Sequence, residues 1–154
     1  MQRTRLRGIA LVAAVALAAL CAPVAPLTAQ KPQLGYYRQP AIWNDTIVFV
    51  AEGDLWRVGV AGGVAQRLTT HPEEESRPAI SPDGKTVAFA ASYEGPGEVY
   101  TLPLEGGVPV RHTWDATRPA WLSWTPKGDV LYATRRHSTL PNTQLVRLDP
   151  ATGT

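Results

Sequence analysis

This sequence lacks cysteine pairs, long apolar spans, a surplus of one charge and helical periodicity. It holds one cysteine, Cys21, in 154 residues, so no internal disulfide can staple the fold. Its longest apolar run, Ile9 to Leu20, has 12 residues, short of the about 20 that a membrane helix needs. Lys+Arg number 15 and Asp+Glu 13, without the strong basic excess that a nucleic-acid binder uses to displace counterions. Beyond Leu20 no segment carries a useful helical apolar period, and 14 prolines are scattered through the chain. Catalytic signatures are missing too. Ser76, Ser81, Ser92, Ser123 and Ser138 sit in no G-x-S-x-G elbow. His71, His112 and His137 form no H-E-x-x-H pair. The reading therefore calls for no catalytic residue, no metal and no cofactor.

What is present starts with the amino terminus. Arg3, Arg5 and Arg7 precede the apolar run, and a Pro/Ala-rich stretch from Cys21 to Ala29 follows it. This is the layout of a secretory signal peptide, residues 1–29, with cleavage expected after Ala29. An uncleaved anchor is the alternative. A lipoprotein signal would need a small residue before Cys21, where Leu20 stands. The expectation is an exported bacterial protein, periplasmic or secreted, with no membrane attachment after cleavage. Cleavage removes three arginines and no acid, leaving 12 basic against 13 acidic side chains. No nucleic-acid partner is expected.

Residues 30–154 repeat themselves. Pro40-Ala41-Ile42 returns as Pro78-Ala79-Ile80, and Arg118-Pro119-Ala120-Trp121 resembles both. The run Thr46–Ala51 returns as Thr86–Ala91 and again as Asp129–Thr134. Gly62-Gly63 and Gly106-Gly107 stand 44 apart, as do Ser81-Pro-Asp-Gly84 and Thr125-Pro-Lys-Gly128. A period of about 40–46 is the length of one four-stranded, WD-like propeller blade. Each repeat divides into short apolar runs broken by turn residues; in the second these are 77–80, 86–91, 98–102 and 108–113. The second strand of each repeat is apolar on both sides, so each sheet must be covered on both faces. Stacked blades supply that cover. A two-layer sandwich is the rival, and the period counts against it.

The predicted fold is all-β: an incomplete β-propeller of about two and a half four-stranded antiparallel blades, with repeats near 38–76, 77–117 and 118–154. The third repeat has no fourth strand. The chain thus reads as the front piece of a longer protein.

In such a meander alternate connections share a face. The first-to-second and third-to-fourth turns are short. The second-to-third loops and the blade-to-blade connections are longer and lie together on the other face, where partner contacts concentrate. That face carries the candidate residues Glu73, Glu74, Glu75, Tyr93, Glu94, Arg135, Arg136 and His137. The plain alternative for the glutamate run is a hydrated loop between blades. Trp56 aligns with Tyr100 at a packing position, and Trp121 and Trp124 bracket a strand, so at least one of them should pack between blades.

Pro78 to Phe89, P-x-x-S-P-D-G-K-x-x-A-F, resembles the repeat of TolB and other exported bacterial propellers. The longer run Pro40–Trp56 is similar to the opening blade of tricorn proteases. So are Arg67-Leu-Thr69, Glu74–Ala79, Tyr93-Glu-Gly95 and Arg136-His-Ser138. The resemblance implies a large, homo-oligomeric serine peptidase that cuts short peptides. Its propellers would guide peptides or unfolded segments to a catalytic domain elsewhere in the parent chain. No family catalytic motif falls on a residue of this sequence. Two other readings stay open: a TolB-like protein-binding scaffold, and the propeller of a prolyl-oligopeptidase-type exopeptidase.

Overall fold

A computed structural model describes residues 35–153. The expected signal peptide, 1–29, lies outside the described residues. Among those described there is no helix.

Three antiparallel sheets follow one another along the chain. The first contains β1 (Arg38–Trp43), β2 (Thr46–Ala51), β3 (Asp54–Gly59) and β4 (Gln66–Arg67) in that order. The second repeats the order with β5 (Glu75–Ile80), β6 (Thr86–Ala91), β7 (Glu98–Pro103) and β8 (Val110–Arg111). The third has β9 (Trp121–Trp124), β10 (Val130–Thr134) and β11 (Gln144–Leu148), without a fourth strand among the described residues. This is an open, incomplete propeller: two four-stranded blades and one of three strands.

The turns follow from their residues. β5 and β6 are joined by Ser81-Pro-Asp-Gly84-Lys85, where the Ser81 hydroxyl donates to Asp83 Oδ1 at 2.6 Å and accepts the Thr86 N–H at 3.0 Å. Gly84 has φ of 69°, and a Cβ there would stand 2.6 Å from the Trp43 ring. Glycine is therefore required twice over, by conformation and by space. The β2–β3 connection is only Glu52-Gly53, with φ of 55° and 90°, the two positive values of a type I′ hairpin. Blade one thus departs from the expectation that second-to-third loops are long.

Blade packing shows why the second strands are apolar on both sides. Alternate residues of β6 point opposite ways. Val87, Phe89 and Ala91 join Tyr100 and Leu102 against Val48, Val50 and Leu55 of blade one. Ala88, Ala90 and Val99 pack against Leu122, Val130, Tyr132 and Leu148 of blade three. Each valine, leucine and phenylalanine among them contributes about 1.5–3 kcal/mol on burial, and each alanine methyl about 0.8 kcal/mol. Large rings on one face of a blade meet smaller aliphatic groups on the next. Trp124 packs against the second cluster, and its Nε1 donates to Ala79 O at 2.8 Å. Trp121 is 48% exposed.

The first strands lie beside one another, β1 against β5 and β5 against β9, so they form the inner rim.

Candidate functional site

The longer-loop face is organised by a motif that recurs at 44 residues: Arg67-x-Thr69 and Arg111-x-Thr113. In each blade the arginine ends the last strand and its Nε donates to the threonine carbonyl, at 2.9 Å for Arg67 and 2.7 Å for Arg111. The threonine hydroxyl then accepts a backbone N–H of the third strand. Leu55 N donates to Thr69 at 2.8 Å and Val99 N to Thr113 at 2.9 Å. Each arginine also reaches an acid at the start of its own blade's third strand, Asp54 or Glu98. Both acids are 2% exposed.

The next proton in the chain goes to different acids. Thr69 donates to Glu75 Oε2 at 2.8 Å, and Tyr93 Oη donates to Glu75 Oε1 at 2.5 Å. Thr113 donates instead to Glu98 of its own blade. Glu98 also accepts Ala116 N at 2.7 Å and Thr117 N at 3.4 Å from the connection to blade three. Burial raises the Glu75 carboxyl above the usual glutamate range, while the Tyr93 and Thr69 hydrogen bonds partly offset it. Burial, and then the Glu75 hydrogen bond, push the Tyr93 phenol up. His71 packs its ring on Tyr93 at 4.0 Å between centroids.

The eight candidate residues separate into four settings. Glu73 and Glu74 are exposed in the connection, and Glu74 lies 3.8 Å from Arg38. Glu75 corrects the hydrated-loop reading: it opens β5 and is fully buried, because the threonine and tyrosine hydroxyls replace water around its carboxylate. Tyr93 belongs to that buried group, while Glu94 pairs with Arg111 at 2.6 Å. Arg135, Arg136 and His137 are exposed after β10. Arg136 Nε donates to Asp115 O, and His137 Nε2 lies 3.7 Å from Asp115 Oδ2. Among the described residues, no hydrogen bond or ion pair joins 73–75 to 135–137. His112, expected in a strand, follows β8. It is buried, its Nε2 lies 2.8 Å from Thr101 Oγ1, and burial lowers its pKa.

Sequence reasoning passed over the Arg-x-Thr motif as an element of the repeat. Its signal was available in the same 44-residue offset that the glycine pairs show.

Comparison with known proteins decides the family. Residues 34–154 match the tricorn protease N-terminal beta propeller domain. The chain belongs to that family. Tricorn protease homolog 1 of Streptomyces coelicolor is 37% identical over 97 residues, covering 62% of this chain and 9% of the homologue. The tricorn protease homolog of Saccharolobus solfataricus is 29% identical over 108 residues, covering 67% of this chain and 10% of its own length. The tricorn-family chain thus spans about a tenth of these relatives. Among solved structures, the tricorn protease superposes with a TM-score of 0.65 at 21% identity, over 77% of this chain and 13% of the protease. TolB from Acinetobacter baumannii gives a TM-score of 0.67 at 24% identity, over 78% of this chain and 31% of TolB. At these identities the two structures show the shared propeller architecture alone.

Proposed function

We infer that this chain is the N-terminal propeller segment of an exported tricorn-like serine peptidase. It guides or gates peptide substrates and supports assembly, and it leaves bond cleavage to another part of the parent protein. The observation that carries this reading is the family match from residue 34 to residue 154. Ser81 and Ser138 serve the fold: Ser81 closes the β5–β6 turn and Ser138 accepts Leu140 N at 3.2 Å. The long loops of blades two and three lie on one face, as a surface for passing peptides requires. The apolar run behind Arg3, Arg5 and Arg7 supports export.

The test has two arms. The chain should bind short peptides without turning over fluorogenic ones. Turnover that disappears on changing a single serine between 30 and 154 would overturn the assignment. Reading the gene beyond codon 154 should show a second propeller, a PDZ-like segment and a serine-protease domain. A stop after about six repeats would favour a TolB-like scaffold, and a G-x-S-x-G elbow a prolyl-oligopeptidase-type enzyme.

A further inference from the structure

The three repeats share a backbone deformation just before their common proline. Pairing slips between Arg38 and Ala41 in β1 and between Ser76 and Ala79 in β5. The residue before the common proline is in the left-handed region each time: Gln39 at φ 50°, Arg77 at 54° and Arg118 at 45°. A residue preceding proline favours extended backbone, and a non-glycine residue held at positive φ carries about 1–3 kcal/mol of strain. All three repeats accept that strain, and each leaves the side chain at this position exposed on the inner rim.

Two of these side chains are positioned and one is free. Gln39 Oε1 accepts the Arg77 N–H at 2.6 Å, and Arg77 Nε donates across to Ala120 O at 2.8 Å. Arg77 Nη1 donates to Ser76 Oγ at 3.1 Å. The Arg118 backbone N–H donates to Gly97 O at 2.7 Å, whereas its guanidinium has no hydrogen-bond or ion-pair partner among the described residues. A cavity of about 470 Å³ opens between Arg77 and Arg118, lined also by Ser76, Ser92 and Ala120. The one carboxylate in its lining is Glu74, which is turned toward Arg38 at 3.8 Å.

We propose that this rim pocket takes an aspartyl or glutamyl side chain of a passing peptide, so that the propeller favours acidic peptides. An unoccupied guanidinium fork matches a carboxylate with two parallel hydrogen bonds. Arg77 adds fixed positive charge to the same wall, and serine hydroxyls supply further donors. Two arginines on one wall raise the local concentration of oppositely charged ligand. The proposal rests on the peptide-guiding reading and adds to it a charge preference.

The experiment uses the full chain and a fluorescent tetraglutamate peptide blocked at both ends. The blocked tetraglutamine peptide, and tetraglutamine with a free carboxyl terminus, serve as comparators. At low salt the glutamate peptide should bind about tenfold tighter than blocked glutamine, a gap of one charge-assisted contact. Arg118→Gln should erase that gap, and Arg118→Lys should restore part of it, since charge returns without the fork. The Arg118 side chain makes no hydrogen bond or ion pair among the described residues, so its replacement should leave the circular dichroism spectrum unchanged. Lys127→Gln, on the opposite short-turn face, should change nothing. Equal binding of the glutamate and blocked glutamine peptides would overturn the proposal while leaving peptide guiding intact. So would an Arg118→Gln variant that keeps the gap, or preference for the free carboxyl terminus alone. If no peptide binds, both readings fall together.

Discussion

The corner after blade one and the corner after blade two are built from the same parts, with the acid in a different place. After blade one the acid on the third strand is Asp54, too short to take the Thr69 hydroxyl. Its Oδ1 is buried without a hydrogen-bond partner among the described residues, and the hydroxyl goes to Glu75 at the start of the next blade. After blade two the acid is Glu98. One extra methylene lets it take the Thr113 hydroxyl and two backbone N–H groups as well. The position matching Glu75 is then Ala116, which needs no carboxylate. Asp54 with Glu75 and Glu98 with Ala116 are two solutions to one problem: covering the donors where the chain leaves one blade for the next. In the first the acid belongs to the incoming blade. In the second it belongs to the outgoing one.

This comparison breaks most easily at Glu98. Its removal takes the acceptor from the buried Thr113 hydroxyl and Thr117 N, and from the half-buried Ala116 N and part of the Arg111 guanidinium. Glu98→Ala should cost about 3–5 kcal/mol, the range for stripping one partner from a buried charged network. Asp54→Ala removes an acid whose hydrogen-bond partner among the described residues is Arg67, and should cost about 1–2 kcal/mol. Urea unfolding of the two variants measures the difference. Equal losses would mean that the corners are not organised as described.

An intermediate effect comes from converting one corner into the other. Glu75→Ala takes the acceptor from Thr69 and Tyr93 and should cost about 2–3 kcal/mol. Adding Asp54→Glu supplies a longer acid from the outgoing blade, as Glu98 does, and should recover about 1 kcal/mol. In the wild-type background the same Asp54→Glu change should gain nothing, since Glu75 already holds the hydroxyl. A double-mutant cycle reads the coupling directly. Additive costs would show that the two acids are not alternatives.

Much of this scaffold is legible in the sequence, and the illegible part has physical reasons. Gly62-Gly63 and Gly106-Gly107, with the Ser81 and Thr125 turns, fix the repeat, because only turns need those residues at those intervals. Phe89 and Ala88 announce a sheet covered on both sides. The fate of Glu75 is different. In sequence it is the third of three glutamates, and composition alone makes it a solvated charge. Burial came from its position as the first residue of β5, one step past the loop that keeps Glu73 and Glu74 wet. Arg77 and Arg118 were hidden by their own local preference. A residue before proline reads as extended, and the packing of inner strands overrides that. The contacts of Arg136 and His137 with Asp115 join two loops, and loop-to-loop distances are not written in a periodicity.

The smallest expected effect concerns pH, and it too separates the corners. The Glu75 carboxyl is raised above the ordinary glutamate value of 4.5, chiefly by burial. The folded chain therefore holds this proton more firmly than the unfolded chain does. The stabilisation is complete below the ordinary glutamate range and is lost as pH rises through the folded value. Glu75→Gln cannot lose a proton, so it keeps its stability over that interval. Other carboxylates titrate in both proteins and cancel in the difference. Melting temperatures measured at steps from pH 4 to pH 7 should thus show wild type losing ground steadily to Glu75→Gln as pH rises. Parallel curves would mean that the folded protein does not hold the Glu75 proton more firmly than the unfolded chain. The matching comparison of Ala116→Glu with wild type asks whether the second corner tolerates the acid it omits. With Glu98 already bound to Thr113, an added carboxylate finds no free hydroxyl, and Ala116 itself has φ of 57°, where a larger side chain gains no relief. Ala116→Glu should therefore lower the melting temperature at neutral pH and lower it less under acid, as the added carboxyl takes up a proton. A variant that melts above wild type at neutral pH would show that the second corner has room for both acids.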